Sequence, residues 1–298
     1  MSMRYVKFGS SGIKVSPIAF GLGFRQQRSL KEAQRIIEYA IDLGVNLFDC
    51  ANNYSLTATR KSEEVLGTVL EKRRDDILIT SKVNTPTGNG PNDRGTSRFH
   101  ILREIDNSLR RLRTDHLDIY LLHAYDPDTT LDETLRAMDD LVTTGKVRYI
   151  GCCNFAAWQV CKALWTADNL KADPLICVQN PYNLLDRRLE NEMFGLIRDQ
   201  GLGSMAYSPL ANGRLTNLGD IDVLDDIKTH SVVTKLSQIA SKIDKTMAQI
   251  ALNWVLCHND ITVAIAGFDT IQQVDDNLSA MDWSLDKVDY DLLDKVSS

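Results

Sequence analysis

The chain has 298 residues, 43% of them hydrophobic and 25% charged, with a formal net charge of −6. That length and apolar content suffice for a large buried core, while the acidic balance gives no footprint for nucleic acid or an anionic membrane surface. No apolar run approaches the roughly 20 residues that span a bilayer, and the opening "MSMRYVKFGSSGIKVSP" lacks a signal-type apolar core, so a cytoplasmic protein without a targeting peptide is expected.

That opening reads as a strand, a Gly-Ser turn and a second strand, and "IAFG" follows as the first long apolar run. "SLKEAQRIIEYAIDLG" places Leu30, Ala33, Ile36, Ile37, Ala40 and Ile41 on one helical face, with a Ser29/Glu32 capping box at its start and Gly44 as its stop. "VNLFD" is a short apolar run of the kind a strand buried on both faces requires. The pair recurs as a helix from about Lys61 to Lys72, strand "ILITSK", helix "SRFHILREIDNSLRRL" and strand "LDIYLLH". A helix capped by Thr130 and Glu133 and stopped by Gly145 precedes "VRYIGCCN". The second half continues with "AAWQVCKALW", "ICVQN", "LENEMFGLIRD", "LGSMAYS", "KTMAQIALNWVL", "ITVAIAG" and "IQQVDDNLSAM".

Strict alternation implies a parallel sheet, and eight units close into a (β/α)8 TIM barrel over residues 1–298 as one domain, with the N-terminal β-hairpin closing the bottom. A doubly wound sheet is the competing fold, but "GLGFRQ" after the first strand is not the G-x-G-x-x-G turn. The six cysteines (Cys50, Cys152, Cys153, Cys161, Cys177, Cys257) have neither metal nor disulfide-framework spacing, so buried reduced thiols and no metal are expected.

Barrel enzymes carry their chemistry at the C-terminal ends of the strands. Those ends hold Asp49, with Tyr54 in the loop beyond it, then Lys82, His123, Asn154, Gln179 with Asn180, and Tyr207 with Ser208. Each alone has a bland reading as a cap, a loop aromatic, a solvated lysine or a core histidine. As a set they describe a general acid with its tuning partners. A tyrosine titrates near ~10 in water, an adjacent ammonium favours the phenolate and lowers that value, and Asp49 can hold Lys82 in place. His123 can orient the substrate oxygen or assist the proton transfer.

At this point the chain resembles the aldo-keto reductase superfamily over nearly its whole length. The resemblance is carried by "GVNLFDCANNY" with "SEEVLG", "ILITSKV", "LDIYLLHAYDP", "GKVRYIGCCNF", "VQNPYNLLDR", "YSPLANGRL" and "AGFDTIQQVDDN". It implies Tyr54 as general acid, Asp49 and Lys82 as its tuning pair, His123 as the substrate-orienting residue, and NADP(H) or NAD(H) delivering hydride to an aldehyde or ketone, possibly of a sugar. It further implies that Asn154 and Gln179 hold the carboxamide and that Tyr207 stacks on the nicotinamide. Ser208, Leu210, Gly213 and Leu215 would wrap the pyrophosphate with backbone amides, and Gly267, Gln273, Asp276 and Asn277 would border the adenosine.

The departures from the pattern carry their own expectations. "SLTATRK" after Tyr54 lacks the glycines common there, so its backbone takes another route. The segment "TNLGDIDVLDDIKTHSVV" reads as about twenty residues of loop before the next helix, leaving one pocket wall open or mobile. Where many relatives place an arginine or lysine for the 2′-phosphate of NADP stands Asp269, which tilts the expectation toward NAD(H). Loop position nominates Phe24, Arg25 and Tyr125 for the substrate pocket, with Trp158 more readily explained by packing. A Schiff-base aldolase on Lys82 is disfavoured by the adjacent Asp49, and a metal-dependent hydrolase by a lone strand-end histidine. A nicotinamide-nucleotide-binding regulatory subunit on the same fold remains the alternative.

Overall fold

The structure, a computed structural model, describes residues 3–23, 29–57, 60–70, 73–217 and 226–298. From the N-terminus, β1 (Val6–Lys7) and β2 (Lys14–Val15) pair as an antiparallel hairpin. There follow β3 (Ile18–Gly21), α1 (Leu30–Asp42), β4 (Leu47–Asp49), a small antiparallel pair of β5 (Ser55–Thr57) and β6 (Arg60–Lys61), and α2 (Ser62–Leu70). Then come β7 (Leu78–Val83), α3 (Arg98–Leu112), β8 (Leu117–Leu122), α4 (Leu131–Thr143), β9 (Val147–Cys153), α5 (Ala157–Leu170), β10 (Leu175–Pro181) and α6 (Met193–Gln200). The last stretch holds β11 (Gly203–Tyr207), α7 (Ile227–Ile243), α8 (Met247–Cys257), β12 (Val263–Gly267), α9 (Ile271–Leu278) and α10 (Lys287–Ser297). Strands β3, β4, β7, β8, β9, β10, β11 and β12 pair in that order, all parallel, and β12 returns to β3 to close the barrel.

The alternation of side chains along a strand sorts these residues into an inner and an outer set. Inward lie Ala19, Leu47, Ile119, Leu121, Cys177, Met205, Val263 and Ile265, which pack as one cluster with Phe8 and Val15 of the hairpin. The hairpin therefore plugs the N-terminal end of the barrel, and Ser10 N donates to Gly201 O at 2.7 Å just ahead of β11. Two residues beyond these inward apolar positions, the same register delivers Asp49, His123, Gln179 and Tyr207 to the opposite rim, and Lys82 two beyond Thr80. An apolar floor and a polar rim thus come from one period-two pattern. The outward set meets the helices in the larger core, where Gly67 of α2 lets the backbone of α3 approach closely: a Cβ there would lie 2.4 Å from Arg111 O.

The structure departs from the sequence reading at α7, at α10 and at two of the cysteines. The glycine-free segment after Tyr54 does take its own route, entering α2 through the β5–β6 pair. Helix α7 begins at Ile227, with Asp226 accepting from Thr229 N as its cap, so "IKTHSVV" is helix rather than loop. The expected open wall falls on residues 218–225, which lie outside the described residues. Helix α10, which the eight-unit reading had no place for, packs on α7 through Lys242 and Asp289 at 2.9 Å. Cys50, Cys152, Cys153 and Cys177 are buried thiols as expected, but Cys161 and Cys257 are exposed.

Candidate active site

Lys82 is the centre of the rim. Its side chain is fully buried, and Nζ donates to Asp49 Oδ2 at 2.7 Å and to the Cys50 carbonyl at 2.8 Å. The same ammonium stands 4.7 Å from the centroid of the Tyr54 ring. Asp49, 3% exposed, receives two further bonds on Oδ1, from Thr80 Oγ1 and, at 2.8 Å, from Gln179 Nε2. The His123 ring meets Tyr54 edge to face, with centroids 5.8 Å apart, and its buried Nδ1 has no partner among the described residues. The backbone turn Ala51–Tyr54 is closed by Tyr54 N on Ala51 O at 3.3 Å and Ser62 N on Tyr54 O at 2.9 Å, which aims the phenol back over the barrel.

The charges of these groups follow from their surroundings. Burial is the largest influence on Lys82 and works to lower its pKa, but Asp49, Tyr54 and Cys153 together outweigh it and hold the ammonium above the ordinary lysine value. For Tyr54 the Lys82 charge is the largest influence and pulls downward, as the sequence suggested. Burial, Asp49 and Cys153 push upward and win, so the free protein keeps this phenol above the ordinary tyrosine range. The expectation of a net lowered tyrosine is thereby corrected, and the group stays protonated as a donor must. Burial, then the Lys82 charge, lower His123 to about 4, leaving a neutral imidazole at physiological pH.

The remaining residues form an arc along β9, β10, β11 and β12, which are consecutive in the barrel. Asn154, in left-handed conformation at φ 60°, donates through Nδ2 to His123 O at 2.9 Å and accepts from Tyr207 Oη at 2.8 Å. Burial pushes the Tyr207 hydroxyl up to about 12. Gln179 is 1% exposed, and its amide nitrogen is committed to Asp49, so it braces the pair from inside the barrel while Asn154 is the exposed member. Between them Cys153 accepts from Asn154 Nδ2 at 3.3 Å and donates to Gln179 Oε1 at 3.4 Å. Cys153 and Thr80 were not singled out from the sequence, although Thr80 lies two residues before Lys82 and so shares its face.

In the loop after β11, Ser208, Ala211, Asn212 and Gly213 all have positive φ, at 52°, 48°, 62° and 98°. The expected ring of free amides is modified by its own turns. The N–H groups of Ala211, Gly213 and Leu215 bond to Ser208 O, Leu210 O and Leu210 O, and the fully buried Leu215 side chain anchors the loop. At the end of β12, Gly267 is exposed with open space where a Cβ would stand. Gln273 Oε1 accepts from Asp269 N at 2.6 Å, Asp276 Oδ2 accepts from Thr246 Oγ1 at 2.9 Å at the start of α8, and Asn277 is buried. This arc of amide, phenol, left-handed backbone and glycine clearance fits the chemistry of a nicotinamide dinucleotide. Tyr125, part-buried, packs with Phe155 and Trp158 at centroid distances of 5.4 and 5.8 Å two residues beyond His123, whereas Phe24 and Arg25 lie outside the described residues. Among the described residues no group of three or more His, Cys, Asp or Glu side chains could hold a metal ion, and no helix is long and apolar enough to cross a membrane.

A closed parallel eight-stranded barrel with this rim is the architecture of an oxidoreductase family. The sequence profile of the aldo/keto reductase family matches residues 17–298, and the chain belongs to that family, whose members use nicotinamide dinucleotides. Relatives include an uncharacterized oxidoreductase, YrpG, of Bacillus subtilis (strain 168), 36% identical, with 96% of this chain and 93% of that protein covered. A probable voltage-gated potassium channel subunit beta of Arabidopsis thaliana is 34% identical over 94% of this chain and 92% of its own. The L-glyceraldehyde 3-phosphate reductase of Escherichia coli (strain K12) is 28% identical over 94% and 88%.

Proposed function

We propose that this chain interconverts an aldehyde or ketone, a sugar carbonyl among the candidates, with the corresponding alcohol, using Tyr54 as general acid. The observation that carries the reading is the buried Lys82 ammonium, bonded to Asp49 at 2.7 Å and 4.7 Å from the Tyr54 ring at the C-terminal mouth of the barrel. The dinucleotide, NADP(H) or NAD(H), supplies the hydride chemistry when bound. Asn154, Tyr207, Ser208, Leu210, Gly213, Gly267, Asp269, Gln273 and Asn277 would hold it, with Gln179, Leu215 and Asp276 bracing them. Tyr54 holds its proton at Oη for an oxygen that gains negative charge, and Lys82 stabilises the phenolate left behind. The neutral His123 offers an N–H to the same oxygen. Tyr125 and its aromatic neighbours would line the substrate side.

The name of the Escherichia coli relative, a reductase of an aldehyde, supports this substrate class. The test is oxidation of NADH or NADPH with simple aldehydes, together with Tyr54→Phe. The substitution should lower turnover by about 10² to 10⁴-fold, the usual contribution of general-acid catalysis, with the dinucleotide dissociation constant unchanged. Full activity of Tyr54→Phe would refute the assignment. The channel-subunit relative favours a second reading, a nucleotide-binding regulatory subunit with incidental turnover. Tight dinucleotide binding with turnover at solution background for every aldehyde tried would favour that reading.

A further inference from the structure

A second polar cluster lies outside the barrel, against the loop that carries Tyr54. Asn52 is fully buried; its Nδ2 donates to Glu104 Oε2 at 3.1 Å, and its Oδ1 accepts from Thr85 Oγ1 at 3.2 Å. Glu104, on α3 and 2% exposed, also accepts from Asn107 Nδ2 at 2.8 Å, and Arg111 Nη2 stands 3.8 Å from it. Arg111 Nε in turn donates to Glu63 at 2.5 Å, and Glu63 accepts from Ser81 Oγ at 2.5 Å. Ser81 is the outward neighbour of Lys82 on β7, and Asn52 precedes Tyr54 by two residues. The cluster therefore touches the chain beside both members of the proton-donating pair. Two buried carboxylates sharing one guanidinium are a costly way to join α2 to α3, because apolar residues of similar volume would join them at least as well.

We propose that Glu104, acting through Asn52, is a positioning residue for Tyr54: it fixes the Ala51–Tyr54 turn and with it the distance from the phenol to the substrate oxygen. The inference rests on Tyr54 as the general acid. Displacing a reacting group by about 1 Å costs on the order of 10²-fold, so loosening this turn should lower kcat by about 10- to 100-fold and leave the KM for dinucleotide unchanged.

Asn52→Asp sets a carboxylate against that of Glu104 at nearly constant size. Adding Glu104→Gln restores one hydrogen bond of reversed polarity, with the new amide donating to the new carboxylate. The expected result is a fall in kcat for Asn52→Asp at unchanged dinucleotide KM, with recovery to within about threefold in the double variant. In protein labelled with 13Cζ-tyrosine and free of dinucleotide, the Tyr54 resonance, assigned through Tyr54→Phe, should shift in Asn52→Asp and return in the double variant. Unchanged kcat and resonance in Asn52→Asp, or a loss that Glu104→Gln does not restore, would overturn the proposal. Should Asn52→Asp fail to fold, Glu104→Asp, which withdraws the carboxylate while keeping its charge, is held to the same kcat and resonance criteria. Tyr54→Phe in the same assay separates the two failures, since its full activity would remove the general acid itself, whereas its loss beside an unaffected Asn52→Asp would remove the positioning role alone.

Discussion

Lys82→Met keeps the length of the stem and removes the ammonium, so it tests what that charge contributes. In the structure Nζ is 4.7 Å from the centroid of the Tyr54 ring. At an effective dielectric constant of about 20, a unit charge at that separation stabilises a phenolate by about 3.5 kcal/mol, which corresponds to about 2.6 pKa units. Tyr54 becomes a weaker acid by that amount, and the rate of proton donation should fall by about 10² to 10³-fold. The substitution also leaves the Asp49 carboxylate, 3% exposed, without its cation. Breaking a buried pair costs roughly 3–5 kcal/mol, and the bonds from Thr80 and Gln179 offset part of that. The assay is single-turnover aldehyde reduction from pH 6 to 10, with urea unfolding as the fold check. Because the parent phenol already lies above the ordinary tyrosine range, the donor stays protonated in both proteins across this window, and the lost charge shows as a lower plateau rate at every pH. A folded Lys82→Met protein with a plateau rate within threefold of the parent would refute the electrostatic argument.

His123 supplies a pH prediction with a definite sign. Its folded pKa is depressed to about 4, while an unfolded histidine titrates near ~6.5. The unfolded chain therefore binds the extra proton between those values. The contribution to stability is full above about pH 6.5 and is lost as the pH falls toward about 4, by at most about 3 kcal/mol. Urea unfolding at neutral and acid pH should show His123→Gln losing less stability on acidification than the parent, and parallel losses would contradict this. For the dinucleotide, a carboxylate at Asp269 facing a 2′-phosphate should cost about 1 to 4 kcal/mol at partly exposed range. NADH should bind more tightly than NADPH by tryptophan fluorescence, and Asp269→Arg should move the preference toward NADPH. Tenfold tighter binding of NADPH by the parent chain would refute it.

Much of this protein was legible because its signals are local. Alternating apolar strands and capped amphipathic helices announce eight βα units, and period-two register by itself puts Asp49, Lys82 and His123 at strand ends. Tyr54 is legible in the loop beyond Asp49, and the resemblance to a known family adds the dinucleotide arc. Tertiary structure alone decided how those groups share partners. Gln179 reaches Asp49 across 130 positions of sequence because barrel closure brings the inward faces of distant strands into one layer. The net rise of Tyr54 against the pull of Lys82 likewise depends on burial and on Cys153, which no local pattern reports. Asn52, Glu104, Glu63 and Arg111 read as ordinary loop and helix positions, and they become one cluster only where Gly67 lets α2 approach α3. A side chain's direction follows from backbone period, but its partner follows from which distant backbone passes beside it, and that is fixed only when the barrel closes.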